Sequence, residues 1–220
     1  MVPDRYREAS FVNTLQWAIG LELFLLNEAP ERLFFTTDHP NGAPFTAYPE
    51  LLRLLMDADY RQYCMSLINQ EALALTLLPE LKRELSLSEV AVMTRSAAAK
   101  LLGLHDRGHL APGAIADIAV YDPGKYSKAI IGNQAKTDYQ AMFADAALLF
   151  KNGHLVVQEG VVINKLTGLA QTISPHYDSK ITRTVQNYFD RFYSLKLSNF
   201  GVGEADFDYL RQTRFRDIAL

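Results

Sequence analysis

The residues best suited to chemistry lie in one short loop that begins at Asp38 and His39 and ends at Asn41 and Gly42. The loop follows residues 33–37, an apolar run that predicts a strand. A carboxylate at the end of a buried strand is where an α/β barrel places catalytic groups. Asp38 is therefore a candidate metal ligand and base, because one carboxylate can bind a cation and accept a proton. The loop alone favours the simpler alternative, in which Asp38 caps a turn by accepting backbone N–H bonds.

The neighbours of Asp38 have two interpretations each. His39 either contacts a substrate or orients Asp38, or it is a loop histidine that bonds to backbone. Asn41 and Gly42 either present an amide and a close backbone approach to a substrate, or form a turn that needs positive φ. Phe45 is either a pocket wall or ordinary packing.

The remaining candidate ligands do not form a recognisable metal motif. His105 and His109 have the four-residue spacing of a helical metal pair, but Gly103 and Gly108 interrupt any helix there. No His-x-His sequence occurs in the chain. The single cysteine, Cys64, cannot form an internal disulfide and is typical of a small buried apolar residue.

Composition narrows the class of protein. With 220 residues, 49% of them hydrophobic, the chain can bury a core. A net charge of -3 and a pI near 6.0 predict neither a nucleic-acid partner nor an anionic membrane surface. No apolar run is long enough for a membrane span, and no signal-peptide pattern is visible, so we predict a cytoplasmic protein.

The first half of the chain has helical patterning around the predicted strand. Asn13 is a candidate cap for a helix that runs to Leu26, apolar nearly all round. Residues 49–56 predict a second helix with proline in its first turn. Ser86 and Glu89 form a capping-box pattern that opens a third helix, which Gly103 closes.

The second half has short strands and turns instead. Residues 117–121 predict a strand, and Asn152-Gly153 predicts a hairpin between the strands 147–151 and 154–158. A further strand begins at 161–163, and a last amphipathic helix spans 181–195. This change of character places boundaries after residues 104 and 175, which divide the chain into 1–104, 105–175 and 176–220.

Two signatures resemble the amidohydrolase superfamily, whose members are metal-dependent hydrolases with a (β/α)8 barrel and a small β-sandwich. One signature is the passage 98–120, with its paired glycines and Asp117, and the other is Thr37-Asp38. The run Thr-Thr-Asp-His-Pro-Asn-Gly at 36–42 is more specific. Together with the helix around Trp17, it resembles the A-subunit family of formylmethanofuran dehydrogenases and formyltransferase/hydrolase complexes.

The resemblance implies an α/β fold: the C-terminal part of a (β/α)8 barrel, then a β-sandwich element and a C-terminal helix. It implies that Asp38 is catalytic and binds one of two zinc ions, and that His39, Asn41 and Gly42 bind substrate. The family also uses a His-x-His pair, a lysine carbamate and two further histidines, and none of these can be assigned here. We therefore expect this chain alone to be inactive, and to aggregate or need a partner.

The implied reaction is hydrolysis of a formamide on a formylated one-carbon carrier, in tetrahydromethanopterin-linked metabolism. The implied partners are the other subunits of a formyltransferase/hydrolase or formylmethanofuran dehydrogenase complex. Two alternatives stay open. One is a different amidohydrolase, such as an N-acyl-amino-acid deacylase or a hydantoinase-like enzyme, and the other is a non-catalytic assembly subunit.

Overall fold

The computed structural model describes residues 7–40, 42–130, 134–167, 170–173, 178–201 and 215–218. The chain separates into two compact units, Met1–Leu166 and Thr167–Leu220. The boundaries near residues 104 and 175 stay predictions. Helices and a small antiparallel sheet make up the first unit, which is consistent with the predicted α/β class.

Four helices form the N-terminal half of the first unit: α1 (Phe11–Leu26), α2 (Tyr48–Met56), α3 (Ala58–Leu67) and α4 (Gln70–Leu73). The predicted cap of α1 is wrong by three residues. Ser10 is the cap, and its Oγ accepts a hydrogen bond from the Asn13 backbone N–H at 3.3 Å. A capping side chain satisfies the N–H two or three residues downstream, so Asn13 is a recipient of the cap.

The helix predicted from the capping box exists, with one irregularity. It comprises α5 (Leu87–Ala91), a π-helical turn (Val92–Ser96) and α6 (Ala97–Leu101). The capping box is confirmed, because Ser86 Oγ accepts from the Glu89 N–H and Glu89 Oε2 accepts from the Ser86 N–H. Hydrogen bonds from the Ser86 backbone and side chain hold the pKa of the Glu89 carboxyl below its usual value.

The core of the first unit lies between these helices. Its fully or nearly buried apolar side chains come from α1 to α5, from the π-helical turn and from the segment that joins α4 to α5: Ala18, Leu21, Leu25, Leu52, Leu54, Leu55, Met56, Met65, Leu73, Leu78, Leu85, Val90 and Met93. Arg61 is also fully buried. Its guanidinium donates to the carbonyls of Leu54, Leu81 and Arg83 at 2.7–3.1 Å, which ties α2 and the 81–83 segment to α3.

Residues 33–37, predicted as a strand, are not among the strands of the described part of the chain, and their place in a barrel stays a prediction. The backbone is extended at Leu33, with φ -117° and ψ 145°. Burial alternates along the run, because Leu33, Phe35 and Thr37 are partly or fully buried while Phe34 and Thr36 are exposed. The segment pairs with no other described strand. A strand is stabilised by a ladder of hydrogen bonds to a neighbouring strand. This extended segment has no such neighbour among the described residues.

The sheet of the first unit follows the helices. Its strands are β1 (Ile118–Val120), β4 (Leu148–Lys151), β5 (His154–Gln158) and β6 (Val161–Val162). Between β1 and β4 the chain contains β2 (Ser127–Ile130), β3 (Gln134–Thr137) and the helix α7 (Tyr139–Ala144). The antiparallel sheet has the order β1-β4-β5-β6, and β2 pairs with β3 separately. The predicted hairpin is confirmed, with Asn152 and Gly153 at φ 52° and 79°. These positive values are those of a two-residue type I′ turn.

The second unit contains β7 (Ala170–Ile173), α8 (Lys180–Phe192) and β8 (Phe215–Ile218). β7 and β8 pair in parallel. The helix predicted at 181–195 is α8, which ends three residues earlier than expected. In the part of the chain that is described, no helix has the length and apolar character needed to cross a membrane.

Candidate functional site

The loop after residue 37 is closed by its own backbone. The Ala43 N–H donates to the Thr37 carbonyl at 2.9 Å, and the Gly42 N–H donates to the Asp38 carbonyl at 2.9 Å. The Asp38 N–H donates to Thr36 Oγ1 at 3.2 Å. The His39-Pro40 peptide bond is cis. The three hydrogen bonds fix the path of the loop on either side of Asp38.

Asp38 has an unusual backbone and an exposed side chain. Its φ is 51°, a left-handed conformation that residues other than glycine seldom adopt. Its carboxylate accepts no hydrogen bond and forms no ion pair with any described residue. An acid in this position keeps its oxygen lone pairs available for an external cation or proton. Its catalytic role stays a prediction.

Gly42 is required for a reason that the sequence did not reveal. A Cβ at this position would lie 2.6 Å from the Thr37 carbonyl oxygen and 3.2 Å from the Asp38 Cβ. The loop therefore needs glycine for close backbone approach. Of the described residues of the loop, Asp38 and not Gly42 has the positive φ expected of the turn at Asn41 and Gly42. Asn41, also predicted to bind substrate, lies outside the described residues.

Aromatic rings connect the loop to the helices. His39 stacks on Phe45 with centroids 4.1 Å apart and planes at 22°. Phe45 contacts Tyr48, Tyr48 contacts Phe35, and Phe35 contacts Phe24 at centroid distances of 6.5, 5.6 and 5.2 Å. The sequence analysis considered Phe45 as a single residue and did not predict this row of rings. The row supports His39 by ring stacking, so the loop histidine is positioned by an aromatic neighbour.

Thr37, directly before Asp38, has a buried side-chain hydroxyl with no hydrogen-bond partner among the described residues. The residue is only 5% exposed. Buried hydroxyls normally find a partner because an unpaired one is costly. The base of the loop therefore contains an unused donor and acceptor next to the candidate catalytic acid.

The described residues do not by themselves form a metal centre. They contain no group of three or more histidine, cysteine or acidic side chains placed to hold an ion. His105 and His109 are not a metal pair, because His109 Nε2 lies 3.0 Å from the His105 carbonyl oxygen and its Nδ1 accepts from the Ala111 N–H. Asp38 can offer one carboxylate, which is not enough to fit two zinc ions.

A second aspartate at a strand boundary, Asp117, is fully engaged. Its carboxylate accepts from Lys151 Nζ, from the Asn152 N–H at 2.8 Å and from Arg107 Nη1 at 3.5 Å. Burial raises the pKa of this carboxyl, but the Lys151 and Asn152 hydrogen bonds and the Lys151 and Arg107 charges outweigh burial and lower it. Asp117 therefore fastens β1 to the hairpin, as its position at a strand entry predicts.

A cavity of about 410 Å³ lies in the second unit and does not include Asp38. Polar side chains of α8 and the following turn line it: Gln186, Asp190, Tyr193, Ser194, Lys196 and Ser198. It contains no cysteine or histidine, and one acid. Its lining offers no catalytic constellation, so the Asp38 loop is the better candidate site.

Comparison with known proteins begins with a family match. The model of the amidohydrolase family matches residues 1–163. The chain is 40% identical over 219 residues to the A subunit of the formyltransferase/hydrolase complex Fhc of Methylorubrum extorquens. It is 34% identical over 212 residues to protein FwdA of Methanocaldococcus jannaschii. These alignments include 100% and 93% of this chain but only 38% and 36% of the two relatives.

A solved structure agrees with these sequence matches. The chain superimposes on the crystal structure of the Methylorubrum extorquens formyltransferase/hydrolase complex FhcABCD with methylofuran, with a TM-score of 0.74 and 41% identity. The match covers 98% of this chain and 37% of that one. The similarity thus extends over the Asp38 loop and the sheet, while the chain spans less than two-fifths of the length of these relatives.

Proposed function

The chain belongs to the amidohydrolase family, and we propose that it contributes the C-terminal portion of the hydrolase subunit of a formyltransferase/hydrolase complex. The proposed reaction is hydrolysis of the formamide of N-formylmethanofuran or an analogue, which releases formate and a free amine. The similarity to the Fhc A subunit over the whole of this chain supports this choice over a deacylase or a hydantoinase-like enzyme.

Within that subunit, we propose that residues 33–37 form the last strand of a (β/α)8 barrel. The extended backbone, the alternating burial and the absence of a described neighbour are what an unpaired barrel strand would show. Strands β1, β4, β5 and β6 then belong to the small sandwich. In such a barrel the Asp38 loop would lie at the carboxyl end of the strand, where this fold places its chemistry.

The observation that carries the proposed function is the exposed Asp38 carboxylate, which has no partner among the described residues and follows directly on this run. In the complete site Asp38 accepts a proton from the attacking water and passes it to the leaving amine. Zinc, when bound, would lower the pKa of that water and polarise the formyl carbonyl. Asp38 supplies one ligand oxygen, and the other ligands come from the part of the subunit that this chain does not span.

His39, Asn41 and Gly42 are proposed to contact the substrate. The His39 ring is held by stacking on Phe45, so its nitrogens stay available for hydrogen bonds. Gly42 brings backbone close to Asp38, because no Cβ separates them. A substrate amide that reaches the carboxylate would therefore meet the loop backbone as well.

A chimeric subunit tests the proposal. Residues 1–220 replace the aligned segment of the Methylorubrum extorquens Fhc A subunit, and the chimera is co-expressed with the other subunits of that complex. We expect formate release from N-formylmethanofuran and none from N-acyl-amino acids. The Asp38→Asn variant should lower kcat about 100- to 10,000-fold, because it removes the proton acceptor. Glu31→Gln, at an exposed acid seven residues upstream, is the matched control and should keep full activity.

Each alternative has its own outcome in this experiment. Unchanged turnover in Asp38→Asn would favour the non-catalytic assembly subunit. A preference for N-acyl-amino acids would favour the other amidohydrolases. A separate measurement on the 220-residue chain alone should find neither bound zinc nor formamide hydrolysis, and tight zinc with turnover there would overturn the proposal that the site is shared.

A further inference from the structure

The backbone of Asp38 is held from both sides. Its φ of 51° lies in the left-handed region, which residues with a Cβ seldom adopt and keep only where neighbouring contacts enforce it. On the C-terminal side, the Gly42 N–H donates to the Asp38 carbonyl at 2.9 Å. On the N-terminal side, the Asp38 N–H donates to Thr36 Oγ1 at 3.2 Å. Of these two contacts, the one with Thr36 is made by a side chain, so a substitution can remove it.

The contact between Thr36 and Asp38 is local. A threonine hydroxyl that accepts from the N–H two residues further on directs the backbone between them without help from distant elements. The intervening residue, Thr37, makes no comparable contact, because its Oγ1 has no partner among the described residues. Of these two adjacent threonines, therefore, Thr36 is the one whose hydroxyl is bonded to the Asp38 backbone.

The backbone conformation of Asp38 decides where its carboxylate points. The direction in which a side chain leaves the chain follows from the φ and ψ of its residue, so a change out of the left-handed region would redirect the carboxylate. A reacting group that is misplaced by about 1 Å can lose about 100-fold in rate. A hydroxyl that fixes the Asp38 backbone would therefore affect a reaction at this carboxylate without touching the substrate.

We propose that Thr36 is a positioning residue for formamide hydrolysis: its hydroxyl holds the Asp38 backbone in the left-handed conformation and so places the carboxylate where it accepts the proton of the attacking water. The catalytic consequence rests on the proposed function. The placement of Asp38 by the Thr36 hydroxyl does not require turnover. Placement and formate release can therefore be measured separately.

The kinetic test uses the assembled complex that contains the chimeric subunit described above. Thr36→Val removes the acceptor, and we expect kcat for formate release to fall about 10- to 100-fold while KM stays within about two-fold. Thr36→Ser keeps the acceptor and should stay within about three-fold of the parent in kcat. Thr76→Val is the matched control. It removes a threonine hydroxyl that donates to the Leu73 carbonyl at 2.8 Å, outside the loop, and should leave kcat within about two-fold of the parent.

A double-mutant cycle separates positioning from a general structural role. A positioning residue acts through the group that it places, so Thr36→Val should change kcat by less than about two-fold when Asp38→Asn is already present. An equal fold loss in the parent and in the Asp38→Asn background would overturn the proposal, because the Thr36 hydroxyl would then act independently of the acid.

Crystal structures of the parent, Thr36→Val and Thr36→Ser chimeric complexes give a readout that does not depend on activity. We expect Asp38 to keep its left-handed φ in the parent and in Thr36→Ser, and to leave it in Thr36→Val with the carboxylate displaced by about 1 Å or more. An Asp38 that keeps its φ and position in Thr36→Val would overturn the proposal, as would a kcat of Thr36→Val equal to that of an active parent. A displaced Asp38 in a chimera that releases no formate would instead contradict the proposed reaction and leave the placement by Thr36 intact.

Discussion

Two aspartates at the boundaries of extended segments have opposite surroundings. Asp117 accepts hydrogen bonds from a lysine, an arginine and a backbone N–H, and its side chain is only 22% exposed. Asp38 is exposed, adopts a positive φ and accepts nothing from the described residues. Both belong to the first unit and both follow or precede an apolar run. Their sequence contexts are therefore similar, while their environments differ.

The difference separates structural acids from acids available for chemistry. The oxygens of Asp117 are committed to donors that join β1 to the hairpin, so a metal or substrate would have to displace them. The two closing hydrogen bonds of the Asp38 loop are made by backbone carbonyls, which leaves the carboxylate out of the structure of the loop. Substitution of Asp38 should therefore lower activity, and substitution of Asp117 should lower the free energy of unfolding.

The largest expected effect is on activity, from Asp38→Asn. The loss of about 100- to 10,000-fold in kcat should come with a free energy of unfolding within about 0.5 kcal/mol of the parent. The reason is that no described contact depends on this carboxylate. Urea unfolding of the parent and variant chimeric subunits measures it, followed by tryptophan fluorescence that includes Trp17, which packs against the core. A destabilisation well above about 1 kcal/mol would mean that Asp38 has a structural role.

Asp117→Asn should show the reverse pattern. We expect a destabilisation of about 1–2 kcal/mol, because two charge-assisted hydrogen bonds are weakened and the exposed lysine contributes little on its own. The kcat of the chimeric complex should stay within about two-fold. Tryptophan fluorescence again reports on unfolding, since β1 and α1 belong to the same unit.

A double-mutant cycle of Asp117→Asn with Lys151→Met separates the contribution of the Lys151 ion pair from the contributions of the other Asp117 contacts. The coupling between Asp117 and Lys151 should be about 0.5–1 kcal/mol, since the Asn152 and Arg107 contacts remain when Lys151 is removed. A coupling equal to the whole effect of Asp117→Asn would contradict the shared network. In that case the ion pair alone would fasten the hairpin.

The stabilisation that Asp117 provides should depend on pH. The pKa of Asp117 is lower in the folded chain than the usual value of about 3.9. The stabilisation it provides is therefore complete above about pH 5 and is lost as the pH falls through the folded pKa. The difference in unfolding free energy between the parent and Asp117→Asn should therefore shrink as the pH falls from about 5 through the folded pKa. Unfolding curves at several pH values measure it, and a constant difference would contradict the ionised network.

The parts of the fold that depend on local signals were predictable. The capping box of α5 and the Asn152-Gly153 hairpin each need only residues within a few positions of one another, and both are confirmed. The burial of Arg61 was not predictable, because arginine is seldom fully buried. Its environment depends on carbonyls of Leu81 and Arg83, about twenty residues away in sequence.

The candidate site shows the same limit. The sequence predicts an acid followed by a turn at Asn41 and Gly42 that needs positive φ. Of the described residues of this loop, Gly42 does not have a positive φ and Asp38 does. Gly42 is needed because its backbone approaches the Thr37 carbonyl, which is a contact across the closed loop. Residues 33–37 were predicted as a strand from an apolar run. They show alternating burial but have no strand partner among the described residues, and no pattern within the run itself can supply one.

The smallest expected effect concerns the residue before Asp38. Thr37→Val replaces a buried hydroxyl, which has no hydrogen-bond partner among the described residues, by a methyl group of similar size. The free energy of unfolding should therefore rise by about 0.5–1 kcal/mol. Thr36→Val is the matched control on the adjacent, exposed position. Its hydroxyl accepts from the Asp38 N–H at 3.2 Å, so this change should cost about 0.5–1 kcal/mol. Opposite signs in urea unfolding followed by tryptophan fluorescence would show that the Thr37 hydroxyl is held in place at a cost to stability. If Thr37→Val destabilises the chain as much as Thr36→Val does, that hydroxyl has a partner, and the base of the Asp38 loop is an ordinary part of the core.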